Sequence, residues 1–245
     1  MIRRATDAEF LNRVLNHPEI RPWIADLSQG MLDMSAAVAN PANVCLTGTH
    51  GVLFFFKYFD GYYEVHSQVL PEGRGEWAKE FAEQCVRFMF SATDCVEILT
   101  RVPQGHVAAA ALTRAMGFRP QFVTPPECRF LGAMVRCSIH ALSLADWVLR
   151  APGLAERGAE FHDWMNARIP GQAHGRDDDH NRMVGAALDM AMSGQVAKGV
   201  LWYNRYAFAA RHKPVALINL DPVQIRFDAG VLTIENGEMR LETAQ

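Results

Sequence analysis

Residues 62–78 read Tyr62-Tyr63-Glu64-Val65-His66-Ser67-Gln68-Val69-Leu70-Pro71-Glu72-Gly73-Arg74-Gly75-Glu76-Trp77-Ala78. The first nine are rich in aromatic and β-branched side chains and predict a strand. Period-two alternation puts Tyr62, Glu64 and His66 on one face, and Tyr63, Val65 and Ser67 on the other. Pro71 to Gly75 end that strand. A helix follows at once and runs to about residue 91, because Trp77, Phe81, Cys85, Phe88 and Met89 recur every three or four positions. A glycine-bearing turn before a helix leaves backbone N–H groups unpaired, and the helix dipole favours an anion there. An ordinary tight turn has the same composition, so the flanking segments must decide between the two readings.

Upstream, Thr6-Asp7-Ala8-Glu9 has the form of a capping box opening a helix to about residue 15. Pro18 and Pro22 break that pattern. Residues 24–39 are weakly helical, and Asn40-Pro41 marks a turn. Strands are expected at 44–47 and 52–58, with Asp60-Gly61 as the hairpin turn into the strand quoted above. Downstream, residues 96–102 predict a buried strand and 105–116 an alanine-rich helix stopped by Gly117. Two more strands follow, at 118–123 and 129–139. From residue 140 the character changes. Helices are expected at 143–149, 153–169, 183–193 and 196–211, with a polar loop at 170–179. Short strands are expected at 215–220, 224–228, 231–235 and 239–242. The chain thus divides into a module at 1–139 and a second at 140–245. The fold class is α/β in the α+β sense. It has a mixed, mainly antiparallel central sheet flanked by helices, then a helical module ending in short strands.

This order of elements resembles the GNAT superfamily of N-acetyltransferases. That family's pyrophosphate loop reads Arg/Gln-x-x-Gly-x-Gly/Ala. Leu70-Pro71-Glu72-Gly73-Arg74-Gly75 keeps the glycines and has Leu70 in the Arg/Gln place. A variant pattern is matched by Pro71, Arg74, Gly75 and Ala78. A second family motif, Asn-x-x-Ala-x-x-x-Tyr-x-x-x-Gly-Phe, matches the spacing of residues 106–118. Ala109, Gly117 and Phe118 are kept, His106 replaces the Asn and Thr113 the Tyr. The opening Ile2-Arg3-Arg4-Ala5-Thr6 is also similar to the usual first strand and cap.

The resemblance implies acetyl-CoA as cofactor and direct transfer of an acetyl group to an unidentified amine. It implies cofactor binding by Val69, Leu70, Gly73, Arg74, Gly75, Glu76, Trp77 and Ala78. Glu64 stands where the family's base often lies, and His66 shares its strand face. A carboxylate beside an imidazole is suitable base chemistry. Thr113 cannot protonate a departing thiolate as the family's Tyr does. His106 is the candidate replacement acid, set against the plainer role of a helix cap. A bulky Trp77 filling the cofactor cleft would instead mark a catalytically silent scaffold.

The second module exceeds what that family requires. Asp177-Asp178-Asp179-His180, with His162 and His174 nearby, has the residue types of a divalent-metal site. The spacing matches no defined site, and acidic residues also cap helices, so no metal is assigned. Trp202-Tyr203-Asn204-Arg205-Tyr206 is an aromatic cluster suited to a core or to an interface. The segments at 180–185 and 203–205 resemble phage-encoded proteins with a GNAT-like first module. That implies the alternative of a structural or assembly protein of a bacteriophage virion, with virion proteins or a second copy of the chain as partners.

Composition narrows the remaining classes. The chain has 245 residues, with 24 Lys plus Arg against 27 Asp plus Glu, a formal charge of −3. Nucleic-acid binders carry a basic excess, so a nucleic-acid partner is not expected. The densest apolar runs, 52–56 and 107–112, fall far short of the ~20 residues that span a bilayer. The charged start is unlike a secretory signal. Five cysteines form no CxxC pair and sit mostly in apolar runs, so they read as reduced core residues. The expectation is a protein of the bacterial host cytoplasm or of the virion.

Overall fold

The computed structural model describes residues 1–24, 30–169, 177–228 and 230–243. Its contacts divide the chain into two compact units, residues 1–88 with 95–146 and residues 89–94 with 147–245.

The first unit is built on a seven-stranded sheet. Its strands in chain order are β1 (Arg3–Arg4), β2 (Val44–Thr47), β3 (Gly51–Phe59), β4 (Tyr62–Val69), β5 (Glu97–Pro103), β6 (Arg119–Val123) and β9 (Cys137–Ser143). The spatial order is β1-β2-β3-β4-β5-β9-β6. Every pairing in it is antiparallel except β4 with β5. A separate small hairpin joins β7 (Cys128–Phe130) to β8 (Ala133–Val135). Its turn is Leu131-Gly132, both at positive φ. The single strand expected at 129–139 is therefore three strands, because a tight turn interrupts it. Helices α1 (Glu9–Leu15), α2 (Ser35–Ala39), α3 (Glu76–Ala92), α4 (Val107–Ala115) and α5 (Leu144–Val148) complete the order.

Alternation along β3 sets the core. Val52 and Phe54 join Leu11, Val14, Leu15, Ile20 and Cys45 in one buried cluster, with Phe10, Phe56 and Leu70 packed on it. Leu53 and Phe55, on the other face by period two, are also buried. The strand is thus covered on both sides. Burying each such side chain fully contributes roughly 1.5–3 kcal/mol. α1 starts at Glu9, two residues later than a Thr6 cap would place it, and the Glu9 N–H donates to Asp7 Oδ1 at 3.0 Å. Ala8 is the N-cap and makes no side-chain cap bond, and the Asp7 carboxylate just before it suits the helix dipole.

The second unit packs α6 (Leu154–Asn166), α7 (Asp178–Met192) and α8 (Val196–Ala210) with a four-stranded antiparallel meander. The strands are β10 (Ala216–Leu220), β11 (Val223–Phe227), β12 (Gly230–Glu235) and β13 (Glu238–Thr243). α6 and α7 cross at glycines. A Cβ on Gly158 would lie 1.9 Å from Asn181 O, and one on Gly185 would lie 2.1 Å from Leu154 O. α7 begins five residues earlier than its apolar spacing predicts. Asp177 caps it, with Oδ1 accepting the His180 N–H at 2.7 Å. The acidic run thus has a structural role. His174 lies outside the described residues. Among the described residues no group of three His, Cys, Asp or Glu is arranged to hold a metal ion. Asn204 turns the chain from α8 into β10, giving and taking a 2.7 Å hydrogen bond with Val215. None of the described helices is long and apolar enough to cross a membrane.

Candidate active site

β4 and β5 run side by side only briefly. Their register is Tyr62↔Glu97, Tyr63↔Ile98 and Glu64↔Leu99. Beyond that, β4 continues to Val69 paired with β3, while β5 continues to Pro103 paired with β9. Apart from a 3.4 Å bond from Thr100 Oγ1 to Val65 O, the ladder between them has ended. The later backbone groups of β4 on that side face a wedge between two parting strands.

The far end of β4 leads into the loop. Pro71–Gly73 form one 3-10 turn, and α3 begins at Glu76. The first intrahelical bond there is Lys79 N to Gly75 O. The N–H groups of Gly75 to Ala78 are therefore the orphans of a helix N-terminus. Gly75 has φ +91° with nothing within 4 Å of where a Cβ would be, so its surroundings are open. Gly73 is the reverse, since a Cβ there would lie 2.4 Å from His50 Cβ. Its glycine is needed for packing.

Trp77 does not stand in the loop as an obstacle. Its ring stacks on Phe81 at 4.8 Å and meets the His50 edge at 5.2 Å. Cβ atoms on Gly48 and Gly51 would collide with or crowd it, so glycines in the β2–β3 turn make room for the indole. Leu70, standing where the family carries Arg or Gln, packs on the α1 cluster. Val69 is half-buried at the end of β4. Arg74 is exposed, with Nη1 3.4 Å from Glu19 Oε2. Glu76 pairs with Lys79 at 3.5 Å.

Glu64 and His66 come together where the strands part. His66 Nε2 lies 3.2 Å from Glu64 Oε1. Glu64 is only 5% exposed, while the His66 side chain is 43% exposed. Arg101 Nε donates to Glu64 Oε1 at 3.3 Å, and Nη2 to Oε2 at 3.5 Å. Tyr58 donates its hydroxyl to Oε2. Arg101 also holds Glu127 at 2.7 Å. Burial alone would raise the Glu64 pKa. The hydrogen bonds and charges of His66 and Arg101 outweigh it and hold the carboxyl below its ordinary value. Glu64 is therefore a fixed anion with its oxygens engaged. His66 presents its other ring nitrogen, Nδ1, and packs edge-on against Phe56 at 5.3 Å.

His106 is in a different place with a different job. It is the N-cap of α4, and Nδ1 accepts the Ala109 N–H at 3.3 Å. Its ring lies 5.3 Å from Trp23 and 5.4 Å from Phe130. Burial lowers its pKa, which favours the neutral ring that capping requires. Thr113 is buried in α4. Sequence spacing alone gives no sign of Arg101, Tyr58 or Glu127 at this site. Arg101 lies two residues beyond Leu99, the direct partner of Glu64, and so shares its face. That signal exists only once the β4–β5 register is known.

No family model and no curated protein matches the chain. Solved structures do. A point mutant of spermidine N-acetyltransferase from Vibrio cholerae is 14% identical, covers 60% of this chain and 95% of its own, with TM-score 0.51. The same enzyme in complex with CoA and spermine is also 14% identical, covers 60% and 97%, with TM-score 0.50. A ribosomal-protein-S5-alanine acetyltransferase from Vibrio fischeri is 13% identical, covers 60% and 93%, with TM-score 0.49. The chain thus carries the GNAT acetyltransferase fold followed by an additional C-terminal module. The bacteriophage reading gains no support from these structures.

Proposed function

We propose that the protein is an acyl-CoA-dependent N-acetyltransferase of the cytoplasm that passes an acetyl group directly to an amine. The observation that carries this reading is the wedge opened where β4 and β5 part after Glu64 and Leu99, with the α3 N-terminus at its end. The fold of the acetyltransferases above supports it, and one of those was solved with CoA and spermine.

The residues present suit a CoA thioester. The Gly75 to Ala78 amides and the helix dipole suit a pyrophosphate, and open space at Gly75 admits one closely. Val69, Leu70, Gly73, Arg74, Glu76 and Trp77 shape that loop. Unpaired backbone groups of β4 suit the amide-bearing arm of the cofactor. Bound there, acetyl-CoA supplies an activated acyl group. The side chains then divide the work. Glu64, buried and held by three donors, orients His66 rather than taking a proton itself. His66, through Nδ1, accepts the proton that the amine gives up as its nitrogen forms the new bond to the acyl carbon. The sulfur leaves with the electrons of the broken C–S bond. A thiol with pKa near ~8.5 leaves without a strong acid, so Thr113 does not disable the site. His106 holds the start of α4, since a ring whose Nδ1 accepts a hydrogen bond is not charged to act as an acid.

The reading is tested by following thiol release from acetyl-CoA with a panel of primary amines. Amine-dependent release, slowed at least about tenfold in His66→Ala, is the expected result. Absence of release with every amine contradicts it.

A further inference from the structure

The second unit holds a half-open cavity of about 530 Å³. Close-packed interiors hold few voids larger than a water molecule, whereas small-molecule sites run to ~300–1,000 Å³. This space lies between the three helices and the meander. Its walls are mostly apolar, with Phe161, Leu188 and Val200 from the helices and Phe227, Leu232 and Ile234 from the strands.

Its polar lining is of a particular kind. His162, His180, His212 and Tyr203 all line the cavity. The His180 ring lies 5.0 Å from His162, 4.7 Å from His212 and 6.3 Å from Tyr203. They come from α6, α7, α8 and the segment after α8, so the fold itself assembles them. Lys213 and Asp228, also in the lining, form an ion pair. Imidazoles and a phenol donate hydrogen bonds, and imidazoles can gain positive charge beside an anion. The lining is therefore donor-rich at the histidine cluster and apolar elsewhere.

We propose that the C-terminal module is a binding site for a small carboxylic acid with an apolar body. The carboxylate meets the cluster of His162, His180, His212 and Tyr203. The aliphatic or aromatic body lies against the apolar walls. This site is independent of the transferase reading, and its test needs no acyl-CoA.

Calorimetric titration of the full chain with decanoate, 2-naphthoate, decanol and decyltrimethylammonium tests it. One equivalent of at least one carboxylate should bind saturably, and the alcohol and the ammonium at least tenfold more weakly. Val200→Phe, which narrows the cavity at its apolar wall, should weaken binding at least tenfold. His212→Ala, at a half-buried position after α8, should weaken it at least threefold. Both variants are checked for wild-type circular dichroism, and either one suffices if the other misfolds. Saturable binding of neither carboxylate overturns the proposal. So does ammonium binding of equal strength, or carboxylate binding that the folded variants leave unchanged.

Discussion

Glu64 and His66, two residues apart on β4, meet through Oε1 and Nε2 at 3.2 Å at the point where that strand leaves β5. Arg101 approaches the same carboxylate from β5. Glu64→Gln removes the anion that orients His66 and balances Arg101. Acetyl transfer should fall about tenfold or more, and stability by about 1–3 kcal/mol. Steady-state kinetics and urea unfolding measure the two effects separately.

The same pair gives a pH dependence. The Glu64 carboxyl titrates below its ordinary value of 4.5 in the folded chain. Its stabilisation is therefore complete above that ordinary value and is lost as pH falls through the lower folded one. The melting-temperature difference between wild type and Glu64→Gln should be fully present at about pH 5. It should shrink below that.

His106 gives a second titration of the same sign, nearer neutrality. Its folded pKa is lowered from 6.5. The neutral cap is stable above 6.5, and stability is lost as pH falls from there toward the lower folded value. His106→Asn keeps a capping acceptor without the titration. It should match wild type near neutrality and lack the part of the acid-side decline due to His106. His106→Ala should cost roughly 0.5–2 kcal/mol at neutral pH.

Burial pushes the Cys45 thiol up to about 11 and the Cys137 thiol up to about 12, and raises Cys85 as well. Thiolate is the reactive form, so iodoacetamide near pH 8 should leave these three unlabelled in the native chain. Denaturation should expose all of them. Mass spectrometry of the labelled peptides reads the result.

Much of the first unit is legible in its sequence because local rules and tertiary packing agree there. Asp60-Gly61 forms the hairpin its composition predicts, with Gly61 at φ +82°. The spacing from Trp77 to Met89 gives α3 to within a residue or two. The final meander was also readable, since β10 to β13 fall within a residue or so of the expected runs. The rest depends on relationships that sequence spacing does not carry. Leu131-Gly132 splits a run of strand-like residues at a turn. Asp177 starts α7 within a stretch whose polarity reads as loop. Leu70 looks like a lost ligand until its packing on α1 is seen. The Arg101–Glu64 pair spans 37 positions and follows only from the parallel register. The cavity of the second unit brings together histidines drawn from separate elements.

Gly185 tests that helix crossing. A Cβ there would lie 2.1 Å from the Leu154 carbonyl oxygen, a backbone atom that cannot swing away. Gly185→Ala should destabilise the second unit by about 1–3 kcal/mol. Hydrogen exchange should show the loss in α6 and α7, with β3 and β4 unchanged.

The central claim is that the wedge between β4 and β5 and the α3 N-terminus form a CoA site. Isothermal titration of the full chain with acetyl-CoA tests this most directly. The account predicts saturable one-to-one binding, weakened in Gly75→Val. That variant places a branched side chain at a positive φ and in the open space where the pyrophosphate would lie. Absence of binding heat at millimolar acetyl-CoA, with the chain folded, would contradict it.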